Sequence, residues 1–355
     1  REETADGSGL PAINEIQRED TMKKLALAAS VMALFAGAAS AETVGVSIVN
    51  FDNNFQTLLR QGIQDRADAI GVDVQIEDAQ NDSAKQLDQI NNFIASGVDA
   101  IIVTLVDTAA SPAITAAAQA ANIPLVYVNL EPQDISALPA NQVYVGSNEI
   151  ESGTLGAFEA CKLLRGQLKS NGADGYIIMG SLSHQAALQR TKDVEDVVGM
   201  DMCNFINVLD KQSSEWSRDG AQNLMTNWLS TGAVPDVVFA NNDESALGAI
   251  LALKAANVAM EDVVIVGVDA TADALQFMQA GDLDVTVFQN AKAQGGGGLD
   301  IALKLAKGEA VDFKGEGRND DGEQRKVEGK ATPADAPNRF VINIQPDQAQ
   351  AFEQM

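Results

Sequence analysis

An apolar, β-branched run, Val237-Val238-Phe239-Ala240, breaks off into Asn241-Asn242-Asp243-Glu244, and helix-forming residues follow at once. The same grammar recurs at Val266-Gly267-Val268-Asp269-Ala270 and at Thr286-Val287-Phe288-Gln289-Asn290. In an open α/β sheet such junctions lie at the carboxyl ends of the strands, where ligands bind. Amides and carboxylates there offer donors and acceptors that match hydroxyl groups. None of these segments sets a nucleophile beside a base. Asp243 and Asp269 form a pair that glycoside hydrolysis could use, yet no hydrolase motif accompanies them. The chemistry indicated is the holding of a polyhydroxylated molecule without altering it.

His184 is the single histidine. With no second His or Cys beside it, a metal site is not expected. Gly295 to Gly298 resembles a phosphate loop only superficially. It lacks the Lys-Ser/Thr of a P-loop and the strand-adjacent spacing of a dinucleotide fingerprint.

The frame for these junctions begins at Val44, where short apolar runs alternate with amphipathic stretches, the mark of βαβ units in a parallel sheet. Strands are expected at 44–49, 72–76, 100–103 and 124–128, with helices over 56–70, near 87–94 and over 109–121. After Val143-Tyr144-Val145-Gly146 the pattern restarts, with helices at 153–168, 185–198, 216–229, 245–256 and 272–280. Strands at 176–179, 204–209, 237–239, 263–266 and 285–288 separate them. A polar, Gly-rich loop spans 314–338; Phe340–Ile344 reads as a last strand, and Pro346-Asp347 as the start of a short helix.

Met22-Lys23-Lys24, the apolar stretch Leu25 to Gly37 and Ala39-Ser40-Ala41 have the three parts of a cleaved signal peptide. Residues 22–41 are accordingly read as the signal and 1–21 as an upstream extension outside the fold. The remainder is long enough for two domains. A formal charge of −26 argues against nucleic acid or an anionic membrane as partner. Export would place Cys161 and Cys203 in an oxidising compartment, where one disulfide or two buried thiols are both compatible with the sequence.

Taken together, several stretches resemble the periplasmic monosaccharide-binding proteins of bacterial ABC importers, with galactose/glucose-, ribose- and inositol-binding branches. They include Val44-Gly45-Val46-Ser47 with Phe51-Asp52-Asn53-Asn54-Phe55, Gln80-Asn81-Asp82, Asn129-Leu130-Glu131-Pro132, Tyr144-Val145-Gly146-Ser147 and Ala240-Asn241-Asn242-Asp243. The resemblance implies two doubly wound α/β lobes joined by three crossovers near Gly146, Gln289 and Arg339. The N-terminal lobe would be 42–146 plus 290–337, and the C-terminal lobe 147–289 plus 338–355. It implies a monomer that closes around a monosaccharide or cyclic polyol in the periplasm and docks onto an inner-membrane permease. A chemoreceptor or sensor kinase is the alternative partner. No catalysis and no cofactor are implied.

By position, the family's ligand contacts fall on Asn53 and Phe55 from the first lobe, and on His184, Arg190, Trp216, Asn242 and Asp269 from the second. Gln289 sits at the hinge, and Thr104 stands where relatives carry an amide. Phe55 and Trp216 would sandwich the apolar faces of a ring while Asp269, Arg190 and the amides meet its hydroxyls. Asn241 and Asp243 read as helix caps, which singles out Asn242 as the contact. Asn53 and Ala186 replace carboxylates of the galactose/glucose branch, so another pentose, hexose or inositol is an equal candidate. The counterpart of that branch's calcium loop, Ser170 to Gly175, holds one carboxylate, and no calcium is expected. Gly295–Gly298 would fall inside a helix, at a cost of roughly 3–4 kcal/mol relative to alanines.

Overall fold

Thr43–Ile48 (β1) pairs in parallel with Asp73–Asp78 (β2) on one side and Ala100–Val103 (β3) on the other. Leu125–Val128 (β4) and Gln142–Val145 (β5) extend the sheet in the order β2-β1-β3-β4-β5. Every residue of β3 and β4 is buried. That explains why they read as unbroken apolar runs: a parallel sheet is covered on both faces. The covering helices are Asn54–Ile70 (α1), Ser83–Ser96 (α2) and Ser111–Ala121 (α3). The computed structural model describes residues 42–311 and the short strands Gly317–Arg318 (β11), Gln324–Arg325 (β12) and Val341–Ile342 (β13).

A second sheet repeats the design. Ala173–Met179 (β6) lies between Ile206–Ser213 (β7) and Val237–Ala240 (β8), followed by Val264–Asp269 (β9) and Val285–Phe288 (β10). The order β7-β6-β8-β9-β10 reproduces that of the first sheet, with β13 added antiparallel to β10. Its helices are Glu149–Gly166 (α4), Gln185–Val198 (α5), Arg218–Leu229 (α6), Asp243–Ala255 (α7) and Ala272–Gln279 (α8). The two doubly wound lobes expected from the sequence are present. The chain leaves the first sheet after β5 through Gly146–Asn148 and leaves the second after β10 through Gln289–Asn290. The expected third crossover near Arg339, the signal segment and the terminal helix lie outside the described residues.

Ala291–Ala306 (α9) returns to the first lobe and packs on α1. Its glycine run explains the closeness. A Cβ on Gly295 would sit 2.2 Å from the Leu59 carbonyl oxygen, and one on Gly62 would sit 2.4 Å from that of Lys292. Bare backbone on both helices lets them touch, which offsets the poor helix propensity of the run.

Two expected boundaries moved for physical reasons. The strand expected at 204–209 is β7, displaced to 206–213, because its polar half, Asp210-Lys211-Gln212-Ser213, is an edge whose outward residues need not be apolar. The helix expected from Trp216 starts at Arg218. Glu215 and Trp216 have φ of 55° and 61°, left-handed values that no helix accepts, and Ser217 caps α6.

Candidate functional site

Loops from the carboxyl ends of both sheets enclose a cavity of about 450 Å³. Eight of the nine expected contacts line it: Asn53, Phe55, His184, Arg190, Trp216, Asn242, Asp269 and Gln289. Thr104 is not among the lining residues. It is fully buried, and its hydroxyl accepts the backbone N–H of Val49 at 2.7 Å, so it shapes the turn after β1.

Several lining groups turn out to be already engaged. Asn53 caps α1, its Oδ1 accepting from Gln56 N at 3.2 Å, which leaves the NH2 of its amide. Asn242, rather than its two neighbours, is the cap of α7, accepting from Ser245 N at 3.1 Å and Ser245 Oγ at 2.6 Å. The sequence reading gave the cap to Asn241 and Asp243; Asn242 both caps the helix and lines the cavity. Asn241 Oδ1 accepts from Gly180 N, and fully buried Asp243 accepts from Thr271 N, Thr271 Oγ1 and Thr286 Oγ1. Asp243 thus ties the ends of β9 and β10 together. It is not among the lining residues, so it cannot partner Asp269 as a hydrolytic carboxylate.

Asp269 is buried at the tip of β9. Its φ of 125°, followed by 53° at Ala270, is strained for L residues, and such strain gathers at functional sites. Burial pushes its carboxyl well above the usual range, Asp243 adds to that, and Arg190 and Gln289 partly oppose it. Gln289 donates to Oδ1 at 2.9 Å, while Oδ2 has no donor among the described residues. Arg190 is buried; its Nε meets Glu149 Oε2 at 2.5 Å and its Nη1 donates to Asn241 O at 2.7 Å, leaving Nη2. Its guanidinium also lies 5.6 Å from the centre of the Trp216 ring. Trp216 packs across Gly180, where a Cβ would come within 2.2 Å of the indole.

His184 does not offer a ring nitrogen to a ligand. Trp216 Nε1 donates to its Nδ1 at 2.8 Å, which makes Nε2 the protonated nitrogen, and Nε2 donates to Val106 O at 2.9 Å. Burial lowers its pKa and favours this neutral form. The bond to Val106 joins the two lobes. So do Thr108 N to Ser183 O at 3.1 Å and Asn54 Nδ2 to Glu244 Oε1 at 2.8 Å. Arg218 holds Glu244 and Asp273 in place for Asn54. The cleft is therefore closed.

The match to known proteins is extensive. The family described as periplasmic binding protein domain covers residues 44–310. The chain belongs to this family. Among similar proteins, a "Putative rhizopine-binding protein" of Rhizobium meliloti is 54% identical over 294 residues, 82% of this chain and 94% of that protein. A D-galactose/methyl-galactoside binding periplasmic protein of Haemophilus influenzae is 33% identical, covering 82% of this chain and 91% of its own length. An ABC transporter solute binding protein from Bacillus halodurans C-125, solved with bound myo-inositol, is 33% identical with a TM-score of 0.74. That match covers 90% of this chain and 99% of its own. Members of the family are binding proteins, not enzymes.

In this periplasmic binding protein the sequence reading missed several lining residues, including Asn50, Gln56, Asn81, Asp107, Asn129 and Glu215. Asn50 follows the end of β1 and carries the same apolar-to-amide signal as Asn241, whereas Asn81 lies three residues past β2 behind the polar Glu77-Asp78 and carries none. Gln56 carried no such signal, being in the first turn of α1. Its Nε2 donates to Asn129 Oδ1 at 2.9 Å while its Oε1 has no partner. Cys161 and Cys203 are joined as a disulfide that ties α4 to the segment after α5. Among the described residues, no group of three or more His, Cys, Asp or Glu is placed to hold a metal.

Proposed function

We propose that this chain captures a polyhydroxylated ring, with myo-inositol and rhizopine as first candidates, between its two lobes and delivers it to an inner-membrane ABC permease. The observation that carries this reading is the cavity itself. Its volume, about 450 Å³, fits a small-molecule site. Phe55 from one lobe and Trp216 from the other supply flat apolar surface, and Asp269, Arg190 and Asn53 retain unpaired polar atoms for hydroxyls. A free Asp269 oxygen accepts and Nη2 of Arg190 donates, the pairing a ring diol needs.

Ligand bridges the lobes and favours the closed form through its differential affinity for it. The closed form then docks. The protein acts in the periplasm as a monomer, with residues 22–41 as the cleaved signal. A chemoreceptor or sensor kinase would read the same closed lobes. The relative at 54% identity carries the rhizopine name, which supports rhizopine first; the myo-inositol-bound and the galactose-binding relatives are each 33% identical. A thermal-shift screen of myo-inositol, rhizopine, D-ribose, D-xylose, D-galactose and D-glucose tests the proposal. A raised melting temperature with at least one ring polyol is expected; a flat response to all of them would end it.

A further inference from the structure

Among the described residues, Arg190 is the only Lys or Arg lining the cavity. A guanidinium alone in a binding site ordinarily selects carboxylates or phosphates, which match its fork. Here it is not alone. Glu149, the first residue of α4 and itself 4% exposed, contacts Nε at 2.5 Å from the side away from the cavity, and Glu149 is not a lining residue. Its other oxygen, Oε1, is buried with no hydrogen-bond partner, so the carboxylate is directed at Arg190 alone. The N-terminus of α4 favours a negative charge at this position. Glu149 and Asp269 are the carboxylates acting on the guanidinium, Asp107 and Glu215 line the same cavity, and Glu131 lies beside Glu149. His184, the other basic side chain among the described lining residues, is held in its neutral form.

We propose that Glu149 sets the charge selectivity of the cavity: it neutralises Arg190 from behind, so that the guanidinium donates to hydroxyls and ligands bearing a carboxylate or phosphate are excluded. This rests on the ring-polyol reading above. An acid placed against Nη2 would face Glu149 and Asp269, with no second Lys or Arg among the described lining residues to offset them, and like charges brought together inside a dry site are costly. Glu149 is a positioning residue that acts through Arg190 without touching the ligand. Glu149 carries no local signal in the sequence, since it becomes meaningful only once α4 is set against α5.

Titration calorimetry on the full chain tests this. The probes without an acid group are myo-inositol, D-ribose, D-galactose and rhizopine; the acids are D-glucuronate, D-galacturonate, quinate and myo-inositol 1-phosphate. The wild type should bind at least one of the first set and each acid at least about 100-fold more weakly. Glu149→Gln, whose amide oxygen still accepts from Nε, should retain that ligand to within about tenfold and gain at least about tenfold for an acid. Glu149→Asp should restore the exclusion, which a purely structural role would not predict. Should Glu149→Gln unfold in buffer, the titrations are run in trimethylamine N-oxide, which favours the folded state. A wild type silent to every probe overturns the ring-polyol reading and this inference with it. A wild type that binds an acid as tightly as a probe without an acid group, or a folded Glu149→Gln that still excludes every acid, overturns the inference alone.

Discussion

Trp216 donates its indole N–H to Nδ1 of His184, and His184 hands a proton-bearing Nε2 across the cleft to the Val106 carbonyl. One tautomer of one imidazole thereby connects the aromatic wall of the second lobe to the backbone of the first. A protonated ring would set an N–H on Nδ1 against the N–H of Trp216, so only the neutral ring fits.

The pH dependence follows from that. Burial, the largest influence, lowers the His184 pKa below its ordinary 6.5, with the Val106 bond and the carboxylates of Glu215 and Asp107 partly opposing. A lowered folded value means the unfolded chain takes up the proton first. The stabilisation is present above pH 6.5 and is lost as pH falls through the lowered folded value. His184→Gln should cost about 1–2 kcal/mol at pH 7.5, since one amide cannot make both bonds with the same geometry. In urea melts between pH 7.5 and 4.5, the gap between variant and wild type should shrink on the acid side. A gap that stays constant would contradict the neutral-ring assignment.

Asp284 works in the opposite direction. Burial raises its carboxyl from 3.8 to about 6, partly relieved by the N–H of Ile265 at 2.7 Å. For a raised acid the contribution is present below pH 3.8 and is lost as pH rises through about 6. Asp284→Asn keeps an acceptor for Ile265 and removes the buried charge. It should stabilise by roughly 1–3 kcal/mol at pH 8 and by nothing measurable near pH 4. Equal effects at the two pH values would contradict this.

The glycine run in α9 makes a contrast within a few residues. Gly295→Ala should destabilise by about 1–3 kcal/mol, because its Cβ would sit 2.2 Å from the rigid Leu59 carbonyl. Gly296→Ala meets nothing closer than 3.4 Å, and should stabilise by about 0.5–1 kcal/mol through helix propensity. Denaturant melts of the two variants decide it, and the same sign for both would contradict the packing explanation.

The Cys161–Cys203 bond closes a separation of 42 residues. Loop-closure entropy assigns such a bond about 2–4 kcal/mol. The Cys161→Ser/Cys203→Ser double variant should lose that much in urea melts, while the wild type in reducing buffer should match the variant. A wild type indifferent to reductant would contradict the pairing.

What the sequence made legible was the part written in local pattern. Buried strands such as β3 and β8 appear as apolar runs because both their faces are covered. The cleft appears as abrupt polarity at Asn241, Asp269 and Gln289, because strand ends in both sheets point at one space. Jobs within a junction were less legible: Asn241, Asn242 and Asp243 are chemically interchangeable as caps or contacts until the backbone aims them. Glu149 was invisible for a further reason. Its partner Arg190 lies 41 positions away, and a buried ion pair leaves no periodic trace. Trp216 was misplaced into a helix because nothing local announces two consecutive left-handed residues that lack glycine.

The central claim is that a ring polyol binds between Trp216 and Phe55 with Asp269 as its buried acceptor. Titration calorimetry with myo-inositol and rhizopine against wild type, Asp269→Ala and Trp216→Ala tests it most directly. The account predicts saturable binding of at least one ligand by the wild type. Asp269→Ala should weaken it by about 100-fold and Trp216→Ala by at least about tenfold, with both apo folds intact by circular dichroism. No binding by the wild type, or unchanged affinity in folded Asp269→Ala, would contradict it.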